Sequence, residues 1–479
     1  MGLGTIWGRE KLGRALAVGC VALALAGIVL AKAHGRVGVG PWIVQNAVTG
    51  LRSTFDSSLL RGQVALSQGA LSTEGSRTAY AEVDLQAKNV GDQRAAPPVA
   101  IAVVLDVSGS MAGEKLESAK RAVLELVGRM RPTDRIAVVT YSDDATTLVP
   151  LGAVSDAREG AASLVSALRP QNGTNIPAGL ERGVEALAGA PDGFVRRVVL
   201  VSDGLDTSGR GVEWAAGRVR ASAERGVTCS ALGVGADYDE RYLSTMASVG
   251  RGNYAFLARG EALVAFLTRE LREASSTSVE NVAVELTAPT GTRVTRVLGQ
   301  EGVEPGRSVT IAVGALYAGE QRRIVVELAL DDGAVGRLGE VTARIRYRGV
   351  AASQDTVVAP AGLALRAVRT EAEAVATRDL EIFANAESMM LAVRQSDAVA
   401  AWRRGDVQAA TQLASRNAQA ARALGAVAPS AAPALAIDAA RYAREATVFG
   451  GASASSPAGR AAALDSNAHN LAHARGRAP

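Results

Sequence analysis

Short apolar runs and amphipathic stretches alternate through the middle of the chain. Residues 99–105, 135–141, 195–201 and 227–234 are almost continuously apolar and rich in Val. Residues 115–127, 157–168, 177–187, 212–224 and 262–271 alternate with them and carry their apolar positions at helical spacing. A strand with no polar alternation is apolar on both faces of its pleat, and parallel neighbours need a crossover of about a dozen residues. The alternation therefore predicts an α/β domain over residues 97–276: a doubly wound, mostly parallel sheet covered by helices on both sides.

The flanks read differently. Residues 63–89 show period-2 stretches such as Ala79-Tyr80-Ala81-Glu82-Val83-Asp84-Leu85, the mark of a half-buried strand, and Pro97-Pro98 closes that segment. After the α/β region, residues 282–286 and 323–328 are again strand-like, with Asp331-Asp332-Gly333 as a turn. Residues 279–366 are expected to form an antiparallel β-sandwich. The strands of 63–96 are too few to stand alone, so they are expected to complete that sandwich, with the α/β domain inserted into it.

Residues 370–449 have few Gly or strand formers and are amphipathic around 380–402, 407–424 and 435–448, which predicts an all-α helical hairpin bundle. Arg404-Gly405-Asp406, a tripeptide that some adhesive proteins show to receptors, falls at a turn between two of these helices. Gly405 suits a helix end and Asp406 an N-cap, so the tripeptide reads as structural. Residues 34–62 lack a sustained period and read as a spacer; residues 450–479, rich in Gly, Ser and Ala, read as a disordered tail.

Residues 15–31 are continuously apolar or Gly, follow Arg9, Lys11 and Arg14, and end in Ala31-Lys32-Ala33, a small-x-small cleavage pattern. Residues 1–33 are thus a signal peptide or an uncleaved N-terminal membrane anchor. Either one exports the chain to the periplasm, cell envelope or exterior, with membrane contact only through this segment. The apolar run before Cys20 is too short for a lipoprotein signal, and Cys229, in an apolar run, reads as a buried inert thiol.

With 479 residues, 48% hydrophobic and 21% charged, the chain has the composition of a multidomain globular protein. Its formal charge of +4 comes largely from the leader. No basic stripe interleaved with aromatics remains elsewhere, which excludes a nucleic-acid partner.

The chemistry gathers at three strand ends and loops. The first apolar strand ends in Asp106-Val107-Ser108-Gly109-Ser110, one carboxylate and two hydroxyls at alternate positions. Such spacing aims all three oxygens into a crevice at the carboxyl edge of the sheet, where open α/β sheets bind their ligands. A later strand ends in Val201-Ser202-Asp203-Gly204, and between them Asn172-Gly173-Thr174-Asn175 precedes a helix and supplies a third hydroxyl. An all-oxygen set suits a hard divalent cation, whereas zinc favours His or Cys.

Strand-ending Asp-x-Ser-x-Ser, a later Gly-Thr loop and Ser-Asp-Gly at another strand end together resemble the von Willebrand factor A family, over about 180 residues. The resemblance implies metal ligands at Asp106, Ser108, Ser110, Thr174 and Asp203, with none substituted; in the family the Asp and Thr ligands act either directly or through water. Asn172 departs from the pattern, standing where many relatives carry a second Gly; this leaves the ligand set intact and stiffens the loop. The flanking sandwich and helical tail resemble bacterial exported members. The implied cofactor is one divalent cation, Mg²⁺ first, with Ca²⁺ and Mn²⁺ as alternatives. The implied function is cation-dependent protein binding, adhesive or scaffolding, in which a partner's Glu or Asp completes the coordination. The alternatives are a structural envelope protein, or a subunit working with an ATPase, in which the metal only stabilises the domain.

An enzyme is the weaker reading. The phosphohydrolase pattern Asp-x-Asp needs a second acid where Ser108 stands, and His34, His469 and His473 lie at the chain ends, away from any Ser-His-Asp set. His469 and His473, four apart, could share a metal on a helix, but fall within the segment expected to be a disordered tail.

Overall fold

In the computed structural model, the described residues are 50–89, 96–258, 260–300, 303–331, 334–350 and 352–476. The leader, and with it the choice between signal peptide and anchor, lies outside them. Among the described residues no helix is long and apolar enough to cross a membrane.

The chain opens with strands β1 (Arg52–Asp56), β2 (Leu60–Leu66), β3 (Ala70–Ser72) and β4 (Thr78–Ala87). The α/β unit follows as β5 (Val99–Asp106), α1 (Glu114–Arg129), β6 (Arg135–Tyr141), β7 (Ala145–Ala153), α2 (Val154–Ser166), α3 (Ile176–Ala186), β8 (Val195–Ser202), α4 (Val212–Glu224), β9 (Val227–Val234), α5 (Glu240–Val249), β10 (Arg251–Leu257) and α6 (Leu263–Ser275). Its sheet has the order β10-β9-β8-β5-β6-β7, parallel except for β7 at one edge. β5 sits mid-sheet and is buried along its whole length. Val99, Ile101, Val103 and Leu105 face one helical layer, with Val123, Val165 and Phe266 of α1, α2 and α6. Ala100, Ala102 and Val104 face the other, with Leu180, Val219 and Leu243 of α3, α4 and α5. The doubly wound architecture is thus the direct result of strands that are apolar on both faces.

The chain then forms β11 (Thr277–Thr287), β12 (Thr292–Val297), β13 (Ser308–Tyr317), β14 (Gln321–Leu330), β15 (Gly336–Gly349), β16 (Thr356–Val358) and β17 (Leu363–Val368). Strands from both sides of the α/β unit share two sheets, β1-β2-β4-β14-β12 and β13-β11-β15-β17-β3, with β16 on β15. β4 pairs antiparallel with β14, Val83 opposite Ile324. Leu66, Val83 and Leu85 pack in one core with Val284, Ile311, Ile345 and Leu365. The α/β unit is therefore an insertion between strands of one sandwich.

Helices α7 (Glu371–Val375), α8 (Leu380–Arg403), α9 (Val407–Val427), α10 (Ala432–Gly451) and α11 (Pro457–Ala474) complete the chain. α8 covers the outer face of the first sandwich sheet, where Tyr80 and Val325 pack with Phe383 and Met389. The Arg404-Gly405-Asp406 tripeptide forms the turn between α8 and α9, Asp406 capping α9 through the Ala409 amide.

Two expectations are corrected. The spacer expected over residues 34–62 contains β1 and the start of β2. β1 is an edge strand that buries only Phe55, and β2 presents Arg61, Gly62 and Gln63 before its apolar end, so neither shows a clean alternation. The tail expected to be disordered from residue 450 instead ends α10 and forms α11. Ser456 caps α11 and Pro457 opens it, as helix N-termini favour. α11 buries mostly small or polar residues, Ala463, Ser466, Asn470 and Ala474, besides Leu464, which gives no strong apolar stripe.

Covering the outer sheet face with α8 encloses Glu82 of β4 completely, its carboxylate 3.4 Å from Arg323. Burial pushes this carboxyl up to about 7, against the pull of Arg323 and with the repulsion of Asp84. A folded-state value above the unfolded one means stability is fully present below the unfolded value of 4.5 and is lost as pH rises through about 7. Glu82→Gln is therefore expected to raise stability by about 2–3 kcal/mol at about pH 8 and by little near pH 4.5. Melting curves at the two pH values check this; an equal effect at both would sink it.

Candidate metal centre

The register of the central strands places the site. β5 and β8 pair in parallel with Leu105 opposite Val201, so the strands end level and Asp106, Ser202 and Asp203 emerge together at the carboxyl edge. Asp106 and Asp203 are both buried, at 0% and 1% exposure. Asp106 Oδ1 accepts the Ser108 amide at 2.8 Å and Oδ2 accepts the Ser202 hydroxyl at 2.9 Å, which fixes the carboxylate in one plane. Past Asp106 the chain turns through a short 3₁₀ segment, Gly109–Met111. The Ser108 and Ser110 hydroxyls stand 3.0 Å apart, and Ser110 donates to Asp203 Oδ1 at 2.7 Å.

Thr174 arrives from the loop before α3. Gln171 donates its amide to the Val107 carbonyl at 2.6 Å, and Asp143 donates its own to the Asn172 carbonyl at 3.1 Å, docking the loop on the ends of β5 and β6. Gly173 has φ +75°, and a Cβ there would stand 1.8 Å from Asp143 Oδ1, so only Gly fits. Asn172, the departure from the family pattern, needs no left-handed backbone: among the described non-glycine residues only Arg251 and Asn281 have positive φ. On the far side, Thr207 donates its amide to the Thr174 carbonyl at 2.9 Å and accepts the Thr174 amide at its hydroxyl at 3.0 Å. A Cβ on Gly204 would lie 3.3 Å from Thr174 Oγ1 and 3.5 Å from Ser110 Oγ. The two hydroxyls thus flank the small residue that follows Asp203.

All five residues singled out in the sequence, Asp106, Ser108, Ser110, Thr174 and Asp203, therefore line one crevice. Three neighbours were not singled out. Ser202 orients Asp106, and Tyr141, fully buried beneath the site, donates to the Val201 carbonyl at 3.1 Å. Lys115 places its ammonium 2.5 Å from Asp203 Oδ2. A signal for Lys115 exists in the sequence: a cation in the first turn of a helix opposes the helix dipole, so its presence at the second position of α1 calls for a nearby acid.

The electrostatics favour a cation. Burial raises the Asp106 carboxyl above its ordinary range; the Ser108 and Ser202 hydrogen bonds oppose this and the Asp203 charge adds to it. Two buried carboxylates, three hydroxyls and no sulfur or imidazole make a donor set for a hard dication, and the Lys115 ammonium partly fills that demand. His469 and His473 lie on α11 in the helical bundle. Cys229 is a buried free thiol that burial pushes up to about 12, so it is inert, and it takes no part.

A family model for the von Willebrand factor type A domain matches residues 100–269. This chain carries a von Willebrand factor type A (vWA) domain. The chain is 29% identical over 262 residues to the uncharacterized protein YfbK of Escherichia coli, a match covering 52% of this chain and 45% of that one. It is 27% identical over 277 residues to the uncharacterized protein sll0103 of Synechocystis, covering 54% and 64%. The chain thus spans less than two thirds of the length of each of these relatives. Among solved structures, von Willebrand factor type A from Catenulispora acidiphila superimposes with a TM-score of 0.62 at 22% identity, covering 80% of this chain and 91% of that one. The ArnB paralog VWA2 from Sulfolobus acidocaldarius gives 0.57 at 13% identity, covering 86% and 98%. At such identities the likeness is one of fold, and its extent takes in more than the vWA domain.

Proposed function

We propose that the vWA domain binds a protein partner through a divalent cation, Mg²⁺ first among hard ions, held by Asp106, Ser108, Ser110, Thr174 and Asp203. The observation that carries this reading is the convergence of those side chains around the carboxyl edge of the sheet. The two carboxylates balance a dication, and the hydroxyls add coordination without further neutralisation, so a bound ion keeps its attraction for an outside anion. A Glu or Asp of the partner supplies that anion. Leu205, directly after Gly204, is 60% exposed, and the loop that starts there leads into α4, where Trp214 lies 39% exposed under the guanidinium of Arg210, 4.5 Å from its ring centroid. An exposed Trp capped by Arg combines two of the residue types that anchor interfaces. We place this activity in the cell envelope or outside the cell, on the strength of the leader, and read it as binding rather than catalysis because Ser108 stands where the phosphohydrolase pattern Asp-x-Asp needs its second acid.

The test is capture from envelope extract by the purified full chain, with Mg²⁺ or with chelator, for wild type and Thr174→Ala. Mg²⁺-dependent capture that Thr174→Ala loses, with an unchanged melting temperature, is the expected result. Equal capture in chelator would refute the reading. Mg²⁺ that raises the melting temperature without affecting any capture would favour a metal that only stabilises the domain.

A further inference from the structure

The formation of α11 brings together groups that the sequence leaves far apart. His469 and His473 are four residues apart on α11, hence on one face of the helix. Asp438 of α10 faces them, and one ligand atom from each of the three lies within 4.8 Å of the others. We propose that Asp438, His469 and His473 form a second metal site, of the borderline transition-metal class represented by Zn²⁺, which pins α11 to α10.

The donor set differs in kind from that of the vWA crevice. Two imidazoles and one carboxylate suit Zn²⁺, Ni²⁺ or Cu²⁺ and are poor ligands for Mg²⁺. The rings are already oriented. His473 Nε2 is 3.1 Å from the Ser388 hydroxyl on α8, which leaves Nδ1 directed at Asp438, 3.5 Å from its Oδ2. This is the arrangement by which an outer hydrogen bond fixes the tautomer of a ligating His. His473 Nδ1 and His469 Nε2 are both buried without a hydrogen-bond partner. Leaving such atoms unsatisfied is unfavourable, and an ion between them removes that cost. Tetrahedral ligands about 2.0–2.1 Å from Zn²⁺ stand roughly 3.3 Å apart, a contraction that small side-chain rotations provide. The nearest cation, Arg441, is 3.8 Å from Asp438 Oδ1 and is itself engaged by Glu445 at 3.1 Å and Asn470 at 2.8 Å. Arg441 approaches Oδ1 of Asp438, so Oδ2, which faces His473 Nδ1, is left for the metal.

The consequence is structural. α11 carries Leu464 into the core beneath α4 and α5 of the vWA domain, and Arg460 pairs with Asp237 in the turn after β9 at 3.1 Å. A metal that fixes α11 to α10 therefore also fixes the helical bundle against the vWA domain.

The experiment uses the full chain with Asp106→Asn, so that the vWA crevice contributes no tight site and failure here leaves the cation-dependent capture untouched. Equilibrium dialysis with Zn²⁺ alone is expected to give one equivalent bound, with affinity falling roughly 100-fold in His469→Gln/His473→Gln. Zn²⁺ should raise the melting temperature of the first protein and not of the second. A second readout avoids any dependence on the variant's folding. The chain has three histidines, and Zn²⁺ added to Asp106→Asn should shift the ring resonances of His469 and His473 and leave the remaining one, His34, in place. Zn²⁺ stoichiometry unchanged by the double substitution, or ring resonances that do not move, would overturn the proposal.

Discussion

Glu270→Ala is expected to destabilise the vWA domain by about 3–5 kcal/mol while leaving the metal crevice intact. Glu270 on α6 is 0% exposed and takes three side-chain donors: Arg197 at 2.8 Å, Ser230 at 2.7 Å and Asn253 at 2.7 Å. These residues come from β8, β9 and β10, so one carboxylate ties three strands to the helix that leads out into β11. Truncating it strands the buried Arg197 guanidinium, whose remaining acid, Glu273, is 3.4 Å away and partly exposed. The loss is then mostly the desolvation of an unpaired charge, not the worth of the ion pair. The companion experiment follows from that distinction. Arg197→Met combined with Glu270→Leu removes both charges and should recover most of the stability, since an apolar pair of similar volume often replaces a buried ion pair at no cost. Chemical denaturation, read at the transition that hydrogen exchange assigns to residues 99–275, measures both. A loss below about 1 kcal/mol for Glu270→Ala would mean that Glu273 takes over Arg197. Because Arg197 lies near the start of β8 and the crevice at its end, Mg²⁺ affinity should stay level, which separates fold stability from site chemistry.

What was legible in the sequence follows how much apolar surface each element buries. β5 and β8 bury nearly every residue, and their Val-rich apolar runs, interrupted in β8 by Arg196 and Arg197, announce a parallel sheet. The sandwich strands alternate cleanly where one face meets the core, as in β15 from Val341 to Tyr347. β1 buries one side chain, Phe55, and is held by its antiparallel partner β2 and by Arg52 binding Asp379 at 2.7 Å, a contact 327 residues away in the chain. No local pattern can encode that. α11 stays hidden for a related reason. Its buried face is mostly Ala, Ser and Asn, which lets helices approach closely but carries little hydrophobic signal.

The site divides in the same way. The carboxylates and hydroxyls of Asp106, Ser108, Ser110 and Asp203 were visible because strand ends in a parallel sheet share an edge, so order along the chain implies proximity. Thr174 needed the family pattern as well, since its placement depends on the Gln171–Val107 and Thr207–Thr174 backbone contacts. Lys115 lies outside the motifs, and Ser202, though part of the Ser-Asp-Gly motif, gives no sign in the sequence that it orients Asp106. A motif names the atoms that touch the ion; the groups that orient those atoms are fixed by the fold around them.

Asp106→Asn is expected to lower Mg²⁺ affinity by roughly 100-fold with little change in the fold. The amide keeps Oδ1 as acceptor for the Ser108 amide, and the Ser202 hydroxyl can turn to accept from Nδ2, so both hydrogen bonds of the carboxylate survive. What changes is charge. With Asp106 neutral, Asp203 is the remaining carboxylate among the five residues, and the Lys115 ammonium already neutralises it. The crevice then has no net attraction for a dication, and three hydroxyls alone compete poorly with water. Lys115→Met should act in the opposite direction, tightening Mg²⁺ by removing a like charge beside the ion while leaving all five oxygens in place. The pair of variants distinguishes electrostatic demand from ligand geometry. A purely geometric site would weaken in Asp106→Asn and ignore Lys115→Met. Calorimetric Mg²⁺ titration of the wild type and both variants decides it, and undiminished affinity in Asp106→Asn would show that the ion is held elsewhere.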